Sequence, residues 1–155
     1  MIQRIQTLYL LFAAILMSLT LFFPLATITY GGNEIVLKAF TIASTGSEIR
    51  SQLPLYLGCM LAVPTLMSII TIFLYKKRML QLRLCVSQIV LQVGALAFIG
   101  VYCYRVYDVV SEVSKGIFSL ELVSILPIIA IIFTVLAIRG IAKDEALVRS
   151  LDRIR

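Results

Sequence analysis

Two glutamines four residues apart, Gln88 and Gln92, stand in the stretch SQIVLQVGALAFIG, which carries no ionisable acid or base. On a helix that spacing sets both amides on one face, with Ala95 about one turn on. The pair can hydrogen-bond to a neighbouring helix or line a polar path. Helix adhesion is the commoner use in an apolar segment, and Gly94, Ala97 and Gly100 suit close helix approach. Both uses stay open at this point.

Other reactive chemistry is scarce. The chain has no histidine, which removes the commonest general base and metal ligand, so neither a Ser-His nor a Cys-His arrangement can be assembled. There is no phosphate-binding loop, no dinucleotide glycine motif and no acid cluster at metal spacing. Glu34, Glu48, Asp108, Glu112 and Glu121 all fall between apolar stretches, where solvation accounts for them better than catalysis. Cys59, Cys85 and Cys103 lie inside apolar stretches without C-x-x-C spacing and read as small packing residues. A Cys59–Cys103 bridge is conceivable if both lie near one membrane face. We therefore expect no catalytic, cofactor-binding or metal-binding residues and no enzyme activity.

The elements that position these residues follow from composition. Hydrophobic residues make up 61% of the 155 and charged residues 14%, against roughly 25% charged in soluble proteins; mean hydropathy is +1.02. A water-soluble globule could not clothe its surface from that stock, so the lipid bilayer is the expected solvent. The net charge of +6 does not argue for nucleic acid, because the cations flank apolar runs instead of gathering on one solvated face.

A hydrocarbon core about 30 Å thick takes about 20 helical residues. Four charge-free windows fit: Ile5 to Asn33, Ser51 to Tyr75, Leu84 to Tyr104 and Leu122 to Ile138. They predict spans at about 5–24, 53–75, 83–107 and 120–139 in a single membrane domain over 1–155, the last extended past a snorkelling Glu121. The first apolar run is longer than a signal-peptide core and lacks a small-x-small cleavage site, so it reads as a permanent anchor. On one side lie Arg4, Lys76, Lys77, Arg78, Arg83, Arg139, Lys143, Arg149, Arg153 and Arg155; on the other lie Lys38, Arg50, Arg105 and Lys115. The positive-inside rule then puts both termini in the cytoplasm. Tyr56, Tyr102, Tyr104 and Tyr107 are expected in an outer interfacial belt, with Tyr75 at the inner edge.

Between the spans, ATITYGGNEIVLKAF sets two β-branched runs around Gly31-Gly32 and predicts an extracytoplasmic β-hairpin over about 26–42. Pro24 helps the first helix give way to extended chain, and Pro54 suits a helix start. Pro64 and Pro127 fall inside spans and are expected to kink them. Apolar residues at 106, 109, 110 and 113 predict that the third helix continues beyond the membrane, stops near Gly116 and packs beside the hairpin.

The closing stretch KDEALVRSLDRIR gathers Leu147, Val148, Leu151 and Ile154 on one side of a helical wheel and Glu145, Arg149, Asp152 and Arg153 on the other. With Gly140 as a bend, 140–155 reads as a separate cytoplasmic amphipathic helix, interfacial or partner-binding, the alternative being a solvated positive-inside anchor that frays beyond Arg149. Its acids come early and its cations late, as the helix dipole favours. Asp144, Glu145, Arg149, Asp152 and Arg153 are the candidate contacts for a partner protein.

The start MIQRIQTLYLL, the FFP at 22–24 and the end KDEALVRSLDRIR resemble a bacterial family of four-span inner-membrane proteins, domain of unknown function 4293, over essentially the whole chain. That resemblance implies an integral membrane protein of the bacterial cell envelope and transfers no catalytic residues. The expectation is an all-α membrane protein: a four-transmembrane-helix bundle with a small extracytoplasmic β-hairpin and a cytoplasmic C-terminal amphipathic helix. It would sit in the inner membrane and serve as a non-enzymatic accessory subunit or assembly factor. Its partners would be the lipid bilayer and a second membrane protein or further copies of itself, not nucleic acid. The alternative is a homo-oligomeric pore or small-solute carrier lined by Gln88 and Gln92. A proton-coupled exporter is disfavoured because all four windows lack an ionisable residue.

Overall fold

The computed structural model describes residues 2–30, 33–44, 47–49, 53–74, 77–113 and 117–152. The Gly31-Gly32 turn, Tyr75, Lys76, Gly116 and Arg153 lie outside the described residues. Along the chain come α1 (Ile2–Phe22), β1 (Ala26–Tyr30), β2 (Asn33–Leu37), β3 (Ile42–Ser44), β4 (Ser47–Ile49), α2 (Leu53–Phe73), α3 (Arg78–Val113), β5 (Ile117–Leu120), a 3-10 turn (Leu122–Ile125) and α4 (Leu126–Asp152). The protein is mostly helical. Each helix packs against two others in the cyclic order α1, α2, α3, α4, so helices consecutive along the chain are neighbours in the bundle.

All four helices are long and apolar enough to cross a membrane, over Ile5–Phe22, Leu55–Phe73, Arg78–Asp108 and Leu122–Val148. They are apolar nearly all round: Leu11, Leu66, Ile70, Val90, Val93 and Ile132 stand exposed on the outside of the bundle. Helices of this kind need an apolar surrounding. The inner faces carry smaller side chains, with Ala13, Ala95, Ala130 and Ala137 fully buried, so the helix axes can approach closely.

One end of the bundle is covered by a five-stranded antiparallel sheet in the order β4-β3-β2-β1-β5. The hairpin is as the β-branched runs require: Ala26 faces Leu37 and Thr29 faces Glu34. Alternation then sends Ala26, Ile28, Ile35 and Leu37 inward. These join Leu25, Met17, Leu57, Leu61, Ile99 and Tyr102 in one continuous apolar cluster. The sheet is thus fused to the bundle core. The Phe40 ring and the carbonyl of Ala39 occupy the space that a Cβ on Gly58 would need, so the missing side chain lets the Phe40 ring lie against the backbone of α2.

Four expectations change. The hairpin is two strands of a larger sheet: the chain after α3 returns as β5 and pairs with β1, Ile28 opposite Phe118. The helical extension forms as expected, α3 running to Val113 with Tyr107 against Phe118 of the sheet, and IFSL then adopts extended chain. Pro127 does not interrupt a span, because a 3-10 turn precedes it and α4 starts at Leu126, placing the proline in the first turn, where its missing N–H is tolerated. The closing segment is no separate helix: α4 runs unbroken through Gly140 to Asp152. Tyr102 leaves the expected belt and is buried beneath the sheet, while Tyr56, Tyr104 and Tyr107 are exposed.

Candidate functional site

Hydroxyls and amides are expensive inside an apolar bundle, so where they go indicates what the interior can do. Most hydroxyls turn back on their own helix: Thr65 donates to the Leu61 carbonyl at 2.8 Å, Thr71 to Met67 at 2.6 Å and Thr20 to Met17 at 2.7 Å. This local bonding satisfies the hydroxyl without a tertiary partner.

Ser68 and Thr134 also bond back to their own helices, but they meet Gln88 and Gln92 as well. Their residues are all fully buried, and they join three helices. Gln88 Nε2 on α3 donates to Ser68 Oγ on α2 at 2.5 Å, and Ser68 Oγ donates to the Pro64 carbonyl at 2.9 Å. On the other side Gln88 Nε2 lies 3.5 Å from Thr134 Oγ1 on α4. Thr134 Oγ1 in turn donates to the Ala130 carbonyl at 2.8 Å and stands 3.4 Å from Gln92 Oε1. The face shared by Gln88 and Gln92 therefore points into the bundle. Two polar atoms of this seam, Gln88 Oε1 and Gln92 Nε2, are buried without a protein hydrogen-bond partner.

A second polar joint lies toward the chain termini. Gln6 Nε2 on α1 donates to Asp144 Oδ2 on α4 at 2.7 Å, and both residues are buried. Gly140 makes room for it: a Cβ there would come within 2.8 Å of Gln6 Cγ. Gln81 adds a longer contact, 3.3 Å from its Nε2 to the Thr71 carbonyl.

Asp144 is thereby removed from the partner-facing surface on which the wheel placed it. The wheel treated the tail as a free helix, whereas α1 covers that side of α4. Glu145 is half-buried beside a cleft of about 410 Å³ lined by Lys77, Arg78, Met79 and Leu80. Arg149 and Asp152 continue α4; Arg153, as noted, is beyond the described residues. Leu147 and Val148 are about half exposed on this continuation.

At the sheet end an apolar groove of about 530 Å³ runs between α3 and β5, lined by Ile99, Gly100, Cys103, Tyr104, Tyr107, Phe118 and Leu120. Tyr107 and Phe118 meet edge to face at 5.9 Å across it. The three cysteines are free thiols, Cys59 exposed and Cys85 and Cys103 buried. Among the described residues no group of three Cys, Asp or Glu side chains stands close enough to hold a metal ion.

Sequence reasoning missed Ser68, Thr134 and Gln6 as partners. The first two carried a signal: Thr134 is the sole polar residue between Pro127 and Arg139, and Thr65, Ser68 and Thr71 recur at helical spacing on α2. Gln6 and Asp144 are 138 residues apart, and no local pattern links them.

The family model described as a domain of unknown function (DUF4293) matches residues 2–154. The chain belongs to this family. In this DUF4293 chain the match covers both the helices and the sheet, so the sheet lies within the family's span. No curated protein matches the sequence.

Proposed function

We propose that this DUF4293 protein is a non-enzymatic accessory subunit or assembly factor embedded in the bacterial inner membrane, with both termini in the cytoplasm and the sheet outside. The observation that carries the reading is the far end of α4. Beyond Arg139 and Lys143 this helix is pinned to α1 by Asp144 and Gln6, yet it turns Leu147 and Val148 outward. Past the cations these two apolar side chains form a small exposed patch, the kind of surface that a protein contact covers. A partner helix or the edge of a partner subunit would cover them. The cation distribution supports the orientation, and the exposed apolar bundle surface supports the embedding.

The pore reading has less support. Gln88 and Gln92 are fully buried within one bundle and bonded to its other helices, so a ring of subunits would have to open each bundle before either amide could line a channel. The sheet end of the bundle is packed with Leu25, Ile28, Leu37 and Leu57, an apolar plug among the described residues.

A photo-crosslinking amino acid placed at Val148, compared with one at the outward-facing Val90, tests the proposal in native membranes. The expected result is a discrete protein adduct from position 148 and only lipid adducts from position 90. Lipid adducts alone at both positions would contradict the accessory role.

A further inference from the structure

We infer that the bundle binds one phospholipid molecule between the start of α3 and the end of α4, by its phosphodiester and the adjoining part of an acyl chain. Two clefts meet there. The charged one, about 410 Å³, is lined by Lys77, Arg78, Met79, Leu80 and Glu145. The apolar one, about 280 Å³, is lined by Met79, Leu82, Ala142, Glu145 and Ala146. Met79 and Glu145 belong to both, so the clefts form one depression, cationic at one end and apolar at the other. Small-ligand sites typically occupy ~300–1,000 Å³, and the charged cleft alone reaches that range.

The depth and the chemistry both favour a lipid. The apolar stretch of α3 begins at Arg78 and that of α4 ends at Val148, so the depression lies where hydrocarbon gives way to headgroups, the level at which basic side chains recognise lipid phosphates. A guanidinium such as that of Arg78 grips two phosphate oxygens at once, and Lys77 adds a point charge. Against these two cations stands the Glu145 carboxylate, which leaves one net positive charge in the lining. That balance matches the single negative charge of a phosphodiester better than the roughly two charges of a phosphomonoester. Ala142 and Ala146, both exposed and four residues apart on one face of α4, are small enough to leave the apolar cleft open to an acyl chain. A free phosphate would leave that half uncovered, and an apolar helix seated here would set Lys77 and Arg78 against hydrocarbon. The inference rests on the proposed embedding and is independent of what covers Leu147 and Val148.

Native mass spectrometry of the full chain in mild detergent, with dioleoylphosphatidylglycerol titrated in, tests the site. The expected result is one tightly held lipid per chain, weakened by about tenfold or more in Lys77→Ala/Arg78→Ala and to an intermediate degree in Arg78→Lys, which keeps the charge and loses the fork. Ala142→Phe, which fills the apolar cleft, should also weaken it. Arg83→Ala/Lys143→Ala, which removes exposed cations of the same helices outside the clefts, should stay within roughly twofold of wild type. Dioleoylglycerol, which has no phosphate, should not bind, and inorganic phosphate should not displace the lipid. Equal binding by wild type and Lys77→Ala/Arg78→Ala, an equal loss in Arg83→Ala/Lys143→Ala, indifference to Ala142→Phe, or displacement by inorganic phosphate would each overturn the inference. Every chain is first reconstituted into phosphatidylglycerol liposomes and floated on a density gradient, and Ala146→Phe takes the place of Ala142→Phe if the latter does not float. A wild-type chain that fails to float removes the embedding and this site with it, whereas chains that float alike without the expected pattern of lipid adducts overturn the site alone.

Discussion

The two ends of the bundle are held by different physics. At the sheet end, Leu25, Ala26, Ile28, Leu37 and Leu57 are fully buried in a cluster whose side chains are apolar but for the Tyr102 hydroxyl and the Cys103 thiol, and strand pairing supplies the backbone hydrogen bonds. Toward the termini the apolar cluster shrinks to Leu10, Cys85, Ala137 and Ile141, and buried polar joints take over: Gln6 with Asp144, and Gln81 with the Thr71 carbonyl. Apolar packing tolerates shape-conserving exchange, whereas a buried hydrogen bond fails abruptly when one partner goes. The sheet end is thus fastened by area and the terminal end by geometry, with the glutamine seam between them.

Each end can be broken separately. The largest effect is expected at the sheet: Leu37→Ala should lower unfolding free energy by about 2–5 kcal/mol, read as a drop in thermal midpoint in detergent, and should loosen hydrogen exchange in β1 and β2 together. At the other end Asp144→Ala leaves the Gln6 amide buried without its acceptor, a cost of about 1–3 kcal/mol; Asp144→Asn, which keeps an acceptor oxygen, should recover most of it. Gly140→Ala crowds Gln6 Cγ and should cost about 1 kcal/mol, and combined with Asp144→Ala the losses should fall short of additive because both act through Gln6. Ser68→Ala should be mildest, about 0.6 kcal/mol. If Leu37→Ala proved milder than Ser68→Ala in the same denaturation assay, the contrast between the two ends would be lost.

The same contrast explains what could be read from the sequence. Apolar helices announce themselves by charge-free length, so the four helices long enough to cross a membrane were legible, although the fourth runs past the expected 139, to Val148 in its apolar stretch and to Asp152 as a helix. The first hairpin was legible from β-branched runs around two glycines. Strand β5 was not, because Ile117–Leu120 is short, follows an unbroken helical period, and is extended only because the exposed edge of β1 is there to pair with it. Pro127 misled because a proline in an apolar run reads as a kink unless the start of the helix is known. In the site, the shared face of Gln88 and Gln92 followed from spacing, but the direction of that face depends on Ser68 and Thr134, which come from other helices. Asp144 was misplaced for the same reason: its neighbour Gln6 lies at the opposite end of the chain.

The central claim, that the helices cross a bilayer with the sheet on the outer side and the end of α4 inside, is tested most directly by labelling single cysteines. In a chain with Cys59, Cys85 and Cys103 replaced by serine or alanine, Thr41→Cys and Ala146→Cys place thiols at exposed positions next to the sheet and on α4. A membrane-impermeant maleimide applied to intact spheroplasts should label position 41 at once and position 146 only after lysis. Equal labelling of both positions in intact spheroplasts, or recovery of the chain in the soluble fraction, would contradict the account.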